Sequence, residues 1–194
     1  MADTTNIMIV GVGGQGTLLA SRILGNVAIR QGFDVKVSEV HGMSQRGGSV
    51  VTYVKYGKQV ASPIIDFGEA DIILAFERLE AARALPYLKK GGTVILNDRA
   101  IAPMPVITGA AAYPDGLTEA LSEEVKTVAV DALDLSLQAG SPKAVNVVLI
   151  GVLAQTTDIP EEIWAEVLRD TVPAKFLALN EKAFSLGYHT ETGF

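Results

Sequence analysis

A glycine-rich stretch near the start of the chain is the first candidate for chemistry. Its order from Gly11 to Gly16 matches the pattern G-x-G-x-x-G, directly after the apolar run Ile7–Val10. Glycines leave no Cβ between backbone and ligand, and a helix that follows them presents free N–H groups to an anion. The alternative is that the glycines only let the first helix pack closely on its strand. The predicted phosphate- or cofactor-binding residues here are Gly11, Gly13, Gly14, Gln15, Gly16 and Thr17.

A carboxylate lies near the position that a dinucleotide site would require. In such sites an acidic residue about 20 positions after the glycines holds the ribose hydroxyls. Glu39 ends the second predicted strand near that distance. A stand-alone NAD-dependent dehydrogenase is therefore one interpretation. Against it, the strand is followed by a polar loop and not by the crossover helix of a mononucleotide-binding unit.

The loop at residues 41–48 concentrates groups that bind anions or transfer protons. Arg46 offers a planar fork to a carboxylate or a phosphate, and His41 can exchange protons near neutral pH. The alternative is a solvated loop in which the glycines serve turns and Arg46 pairs with a surface acid. The candidate residues in this loop are His41, Ser44, Gln45, Arg46 and Gly47.

Composition excludes several kinds of site. The 194 residues include no cysteine, so this chain cannot supply cysteine zinc ligands, a thiolate nucleophile or cysteine ligands to iron–sulfur clusters. Its two histidines are too few for a three-histidine metal site. A net charge of −6 argues against nucleic acid as a partner. The longest apolar stretch, residues 145–154, is shorter than the ~20 residues of a membrane span. With no targeting signal among its first residues, we expect the chain to be cytoplasmic.

The predicted elements follow an α/β order. A helix follows the glycines, and a second strand at 34–39 leads through the loop into a third at 49–54. A turn at Tyr56–Lys58 precedes another short strand around Val60, and a second turn is expected at Lys89–Gly92. The remaining strands are predicted at 71–76, 93–97 and 126–130, with helices at 77–85 and 117–124.

From Lys143 onward the pattern is helical. Asp158 and Glu161 resemble a capping box for one helix, and Gly187 is expected to close the last one. An apolar segment at 145–150 is expected to be either central or covered by another subunit. Together these elements predict one domain over residues 1–194. Its class is α/β, with a three-layer, Rossmann-like mixed sheet, an inserted antiparallel hairpin and C-terminal helices.

The two motifs together resemble a known family. The run Gly-Val-Gly-Gly-Gln-Gly-Thr at 11–17, followed by Ser-Glu-Val-His-Gly-Met-Ser-Gln-Arg-Gly-Gly-Ser-Val at 38–50, is similar to the gamma-type domain of 2-oxoacid:ferredoxin oxidoreductases. The His-Gly-Met-Ser-Gln-Arg-Gly-Gly form most resembles the beta subunit of the indolepyruvate (arylpyruvate) branch. The similarity extends over essentially the whole chain.

The resemblance implies a subunit of a heteromeric enzyme that is inactive alone. In such enzymes a 2-oxoacid is oxidatively decarboxylated on thiamine diphosphate, electrons pass through iron–sulfur clusters to ferredoxin, and coenzyme A accepts the acyl group. This chain lacks cysteine, and Pro114-Asp115-Gly116 lacks the first glycine of a Gly-Asp-Gly run for the Mg²⁺ of thiamine diphosphate. We therefore expect those cofactors in a larger partner subunit, and coenzyme A as a co-substrate.

The same resemblance suggests what this chain contributes. The glycine turn would receive an anionic part of coenzyme A or of a partner-bound cofactor, while Arg46 and His41 face the subunit interface. Both loops follow strands at the carboxyl edge of the predicted sheet, where ligands of α/β proteins gather. A noncatalytic scaffold subunit remains the second alternative to the NAD-dependent dehydrogenase.

Overall fold

A mixed six-stranded sheet, in the order β2-β3-β1-β4-β5-β6, forms the centre of the molecule in the computed structural model. The structure describes residues 4–39 and 43–192. The strands are β1 (Thr4–Val12), β2 (Asp34–Glu39), β3 (Ser49–Gly57), β4 (Ala70–Ala75), β5 (Leu88–Asn97) and β6 (Lys126–Val130). The helices are α1 (Thr17–Arg30), α2 (Arg78–Ala84), α3 (Met104–Ile107), α4 (Leu117–Glu124), α5 (Ala132–Ala139), α6 (Val145–Ala154), α7 (Glu161–Thr171) and α8 (Leu177–Tyr188).

Strand direction brings two loops to one edge of the sheet. β1, β4, β5 and β6 are parallel, whereas β3 is antiparallel to both β1 and β2. β2 therefore runs in the same direction as β1, although β3 lies between them. The residues that follow β1 and the residues that follow β2 consequently start at the same, carboxyl edge.

Alternating side chains of the strands fill two cores, one on each face of the sheet. Ile7, Ile9 and Leu74 lie in the core shared with α1 and α5 to α8. Met8 and Val10 lie in the smaller core shared with α2 and α4. This alternation follows from the two-residue period of a strand. The predicted three-layer α/β fold with its antiparallel hairpin, formed by β2 and β3, is confirmed.

Helix α6 lies at the centre of the larger core. All ten of its residues are buried within this chain, and its main neighbour is α8. Of the two expectations for this apolar segment, the central position is therefore the one observed.

The turn expected at Tyr56–Lys58 is wrong, because β3 continues through Tyr56 and Gly57, which pair with Thr5 and Thr4 of β1.

Two further predicted features between strands are wrong. No strand forms around Val60; its N–H donates to Oδ2 of Asp34 at 2.8 Å and its side chain is buried. The turn expected at Lys89–Gly92 lies inside β5, where the register shifts between the pairs Ala70–Leu88 and Ile72–Thr93. The glycine-rich segment therefore forms a bulge in the pairing of β5 with β4, and not a turn.

Two predictions about helix ends are also wrong. Helix α7 begins at Glu161 with Pro160 as its cap residue, so Asp158 and Glu161 form no capping box. Gly187 lies inside α8 instead of closing it. A Cβ on Gly187 would stand 2.1 Å from the carbonyl oxygen of Val148. This glycine therefore permits the close contact between α8 and α6.

Within residues 4–39 and 43–192, no helix has both the length and the hydropathy that a membrane crossing needs.

Candidate functional site

The glycine turn and the loop before β3 form one continuous surface. The N–H of Gly13 donates to the carbonyl of Gly48 at 2.8 Å, and the N–H of Gly48 donates to the carbonyl of Ser44 at 3.0 Å. A Cβ on Gly13 would stand 2.3 Å from the oxygen of Ser44 and from the carbonyl carbon of Gln45. Only glycine at position 13 allows the loop backbone to lie this close.

Gln15 supports the turn from inside. Its Oε1 accepts the N–H of Val12 at 2.6 Å, and its Nε2 donates to the carbonyl of Phe76 at 3.0 Å. The same carbonyl accepts Nδ2 of Asn97 at 3.1 Å. Gly11 makes room for this bridge, because a Cβ there would stand 2.8 Å from Oε1 of Gln15. Gln15 and Gly11 were both predicted to bind a cofactor. In the structure, Gln15 links β1 to the residue after β4, and Gly11 leaves room for that link.

The beginning of α1 is held by a residue that comes much later in the chain. Gly16, at φ +82°, is the cap residue of α1 and has no side chain with which to cap it. Its carbonyl accepts Nδ2 of Asn146 at 3.2 Å. A Cβ on Gly16 would stand 2.6 Å from that Nδ2. The first N–H groups of α1 are thus left without a side-chain cap, and Thr17 is buried beside them.

Two clefts open on either side of the glycine turn. The first, of about 300 Å³, lies toward β3, and Gln45 and Thr52 line it together with Gly13 and Thr17. The second, of about 310 Å³, lies toward α6 and has basic side chains at its wall. The residues lining this second cleft are Gly14, Gln15, Gly16, Arg99, Pro142, Lys143 and Val145.

Arg99 and Lys143 are outside the set of predicted site residues. Arg99 follows β5, and Lys143 precedes α6, so 44 positions of sequence separate them. Nothing local marks them as a pair, and only the packing of α6 beside the sheet edge brings both to the glycine turn. An anion in this cleft would meet two positive side chains and the N-terminus of α1.

Glu39 lies apart from the glycine turn. It ends β2, with β3 between it and β1 in the sheet. Its Oε1 is 2.7 Å from Oγ of Ser21 on α1. It lines a separate groove of about 510 Å³ between α1 and β2. The closed backbone over Gly13 and the position of Glu39 together give a geometry unlike that of a dinucleotide site, where pyrophosphate approaches the glycines and the carboxylate meets the ribose.

The remaining loop residues lie beside the first cleft. Ser44 and Gln45 are half-buried, whereas Arg46 and Gly47 are exposed, with Gly47 at φ +88°. His41, predicted from the sequence as part of this loop, lies outside the described residues. Among residues 4–39 and 43–192, no group of three His, Asp or Glu side chains could hold a metal ion.

Two buried carboxylates behind the loops were not predicted as site residues. Glu77 is 1% exposed and accepts the N–H groups of Glu80 and Ile101, each at 3.0 Å, and the hydroxyl of Tyr113. Burial and the Glu77 carboxylate raise the pKa of Tyr113 above its ordinary value, so this hydroxyl remains a donor.

The second of these carboxylates, Glu80, reaches the loop itself. It accepts the hydroxyl of Ser49, the residue directly after Gly48, and pairs with Nη1 of Arg83 at 2.6 Å. The signal available in the sequence was an acidic residue directly after a buried strand, followed by another three positions on.

Comparison with known proteins identifies the family of this chain. The model of the family described as pyruvate ferredoxin/flavodoxin oxidoreductase matches residues 6–190. A protein of Thermococcus kodakarensis named indolepyruvate oxidoreductase subunit IorB is 48% identical over 188 residues, covering 94% of this chain and 93% of the relative. The protein of the same name from Archaeoglobus fulgidus is 42% identical over 190 residues, covering 95% and 94%.

Solved structures share the fold. The gamma subunit of a keto/oxoacid ferredoxin oxidoreductase from Geobacter sulfurreducens superposes with a TM-score of 0.71 at 24% identity, covering 95% of this chain and 96% of that one. The 2-oxoglutarate:ferredoxin oxidoreductase of Magnetococcus marinus matches all of this chain with 32% of its own, at a TM-score of 0.74 and 18% identity. The sequence-based family assignment is confirmed, and the chain belongs to the pyruvate ferredoxin/flavodoxin oxidoreductase family.

Proposed function

We propose that this chain is the small subunit of a heteromeric, coenzyme A-dependent 2-oxoacid:ferredoxin oxidoreductase that acts on indolepyruvate or related arylpyruvates. The observation that carries the proposal is the 48% identity, over 94% of this chain, to a protein named as an indolepyruvate oxidoreductase subunit. In the proposed reaction the 2-oxoacid loses carbon dioxide, its acyl group joins the thiol of coenzyme A, and two electrons pass singly to ferredoxin.

The redox chemistry of this reaction is assigned to a larger partner subunit. Iron–sulfur clusters need cysteine ligands in their conventional form, and this chain has none. Thiamine diphosphate with its Mg²⁺ is assigned to the partner as well. The small subunit would then complete the catalytic centre from outside, at the edge of its sheet where the glycine turn and the 43–48 loop meet.

The residues beside the glycine turn suit an anionic part of coenzyme A. The cleft of about 310 Å³ places Arg99 and Lys143 next to Gly14 and Gly16. Arg46 is exposed on the neighbouring loop, where it can reach a phosphate or a partner carboxylate. In this arrangement the chain binds and orients a co-substrate, and the covalent steps take place on the partner.

The substrate class can be tested on the complex of both subunits. The two chains are co-purified without oxygen and assayed for dye reduction with indolepyruvate, phenylpyruvate, pyruvate and 2-oxoglutarate. We expect coenzyme A-dependent reduction with the two aryl acids, at a kcat/KM at least about tenfold above that for the other two. Preference for pyruvate or 2-oxoglutarate would contradict the arylpyruvate assignment, and activity without coenzyme A would contradict its role.

The role of the second cleft can be tested by removing one positive charge. Lys143→Ala in the complex should raise the KM for coenzyme A about tenfold and leave the KM for the 2-oxoacid unchanged. Lys182→Ala, on the exposed face of α8, is the matched control and should change neither constant. Unchanged kinetics in Lys143→Ala, with the complex intact, would assign this cleft no contact with coenzyme A.

The scaffold alternative predicts a different result for the loop. Arg46→Ala should lower turnover while the complex stays assembled, because the exposed guanidinium faces the partner's reaction centre in our proposal. A scaffold would show either full turnover or dissociation. Size-exclusion chromatography of the same sample separates these outcomes.

A further inference from the structure

Residues 100–114 form an uncharged tract that is exposed. These 15 consecutive residues contain no Asp, Glu, Lys, Arg or His. Two other uncharged stretches of similar length, 4–21 and 144–157, make up β1 with the beginning of α1, and α6, which pack in the core. In the uncharged tract, by contrast, 11 residues are exposed and none is buried. The tract resembles those two stretches in carrying no charge, but this chain alone does not bury it.

The tract presents large apolar side chains to solvent. Met104 and Ile107, on the short helix α3, are each 65% exposed. Exposed apolar groups that are gathered in one place mark interaction sites more often than groups that are scattered singly.

The tract is folded and held at both ends. The same carboxylate oxygen of Glu77 accepts the N–H of Ile101 and the hydroxyl of Tyr113, so the two ends of the tract meet on one buried group. Just outside it, Oγ1 of Thr118 donates to Oδ1 of Asp98 at 2.5 Å. A compact loop whose ends lie together in this way is an Ω-loop, a type that is frequently functional.

Bonds within the tract fix its shape before any partner binds. The N–H of Ala111 donates to the carbonyl of Pro105 at 3.0 Å, and the N–H of Thr108 donates to the carbonyl of Met104 at 2.9 Å. Ordering a flexible loop at an interface costs binding free energy. A loop that is already ordered avoids much of that cost.

We propose that the uncharged tract is a docking surface for an uncharged, apolar patch of the larger subunit. This inference rests on the proposed function, which supplies that subunit. A charged partner surface would lose its water on binding to the tract and would meet no opposite charge there. Its burial would therefore cost a large amount of free energy. The tract begins next to Arg99, which lines the cleft beside the glycine turn. Docking here therefore brings the larger subunit up to the proposed coenzyme A cleft.

A charge placed in the tract tests the proposal. Met104→Asp and Ile107→Asp are made in the small subunit, and its binding to the separately purified larger subunit is measured by titration. Each variant should raise Kd at least about tenfold. Because both side chains are exposed, the unfolding midpoint of the isolated small subunit should stay the same. Leu137→Asp, at an exposed leucine of α5 (54%), is the matched control and should leave Kd unchanged.

The outcomes separate this inference from the proposed function. If Kd stays within about twofold in both tract variants, the docking surface is wrong, whatever the complex catalyses. If the variants weaken the complex but the wild-type complex oxidises no 2-oxoacid, the surface stands and the function is wrong. If they instead abolish self-association of the small subunit and leave the larger subunit bound, a second copy occupies the tract and the proposal is overturned.

Discussion

Gly13 and Gly16 act through the Cβ atoms that they lack. At Gly13 the missing atom leaves room for the backbone of Ser44 and Gln45, and at Gly16 it leaves room for the amide of Asn146. In a dinucleotide site, the ligand approaches the glycines at these positions. Here the same spacing of glycines makes room for contacts within the chain. The part of the turn that remains open to a ligand faces the second cleft, next to Arg99.

Substituting Gly13 tests this close contact. Gly13→Ala should lower the free energy of unfolding by about 1–3 kcal/mol, because the added Cβ overlaps backbone atoms that cannot rotate away. Gly25→Ala, in α1, is the matched control. The added Cβ would lie 3.8 Å from side-chain atoms of Val35 and Val37 in β2, which is an ordinary van der Waals distance. That control should raise the free energy of unfolding by about 0.5–1 kcal/mol. Urea unfolding measures both, and equal stability of Gly13→Ala and wild type would contradict the contact.

Asp98 gives the region around the uncharged tract a dependence on pH. Burial alone would raise the pKa of this carboxyl, but hydrogen bonds from Arg78 and Thr118 and the charge of Arg78 outweigh it, and the pKa lies below its ordinary value of 3.8. A carboxyl of this kind stabilises the folded state above its ordinary pKa, and that contribution disappears as pH falls through the lowered pKa.

The variant Asp98→Asn should therefore be less stable than wild type at about pH 7 and approach it as the pH falls below the ordinary carboxyl pKa of 3.8. Thermal unfolding of both proteins across this range measures the difference. Asp115→Asn controls for a general change in net charge, because Asp115 is exposed and lies directly after the tract. A gap between Asp98→Asn and wild type that stays constant with pH would contradict the assignment.

At the scale of elements, β3 is the insertion that defines the site. It lies between β1 and β2, and so moves Glu39 one strand away from the position next to β1 that a dinucleotide fold would give it. It also ends the 43–48 loop against the glycine turn. The hydroxyl of Ser49, the first residue of β3, reaches the buried carboxylate of Glu80 on α2. One strand thus connects the loop to the turn and to the helix behind it.

Removing that hydroxyl should loosen the loop. Ser49→Ala leaves the buried Glu80 with one partner fewer, so we expect a loss of about 1–3 kcal/mol in stability. Amide exchange at Arg46 and Gly48 should accelerate. Ser122→Ala, which removes an exposed bond to the carbonyl of Thr118, is the control and should cost less than about 0.5 kcal/mol. Unchanged exchange in the loop of Ser49→Ala would contradict this connection.

For the whole molecule, periodicity and strand signals were sufficient to predict most of the fold. The predicted bounds 34–39, 117–124 and 126–130 are those of β2, α4 and β6. Helix α5 has no counterpart among the predicted elements, because Leu133, Leu135 and Leu137 alternate with polar residues at the period of a strand. The local signals for this helix lie at its ends, where the side chain of Asp131 accepts the N–H of Asp134 and Gly140 ends the helix at φ +117°.

The candidate site was predictable only in part. The sequence indicated that the two loops would share the carboxyl edge of the sheet, because each follows a strand. It gave no sign that Arg99 and Lys143 would meet, since their proximity depends on how α6 packs beside β5. It also gave no sign that Gln15 bridges Val12 and Phe76, since the same residue types at the same spacing suit a ligand-binding turn equally well.

The central claim is that this chain completes an enzyme whose cofactors belong to its partner. The direct measurement is reconstitution: the larger subunit is assayed alone for coenzyme A-dependent oxidation of indolepyruvate and then with increasing amounts of this chain. We predict turnover that rises to a plateau at a fixed subunit ratio, and a small subunit that is colourless and inactive alone. A small subunit that was isolated brown, or that oxidised indolepyruvate unaided, would contradict the account, as would a larger subunit fully active without it.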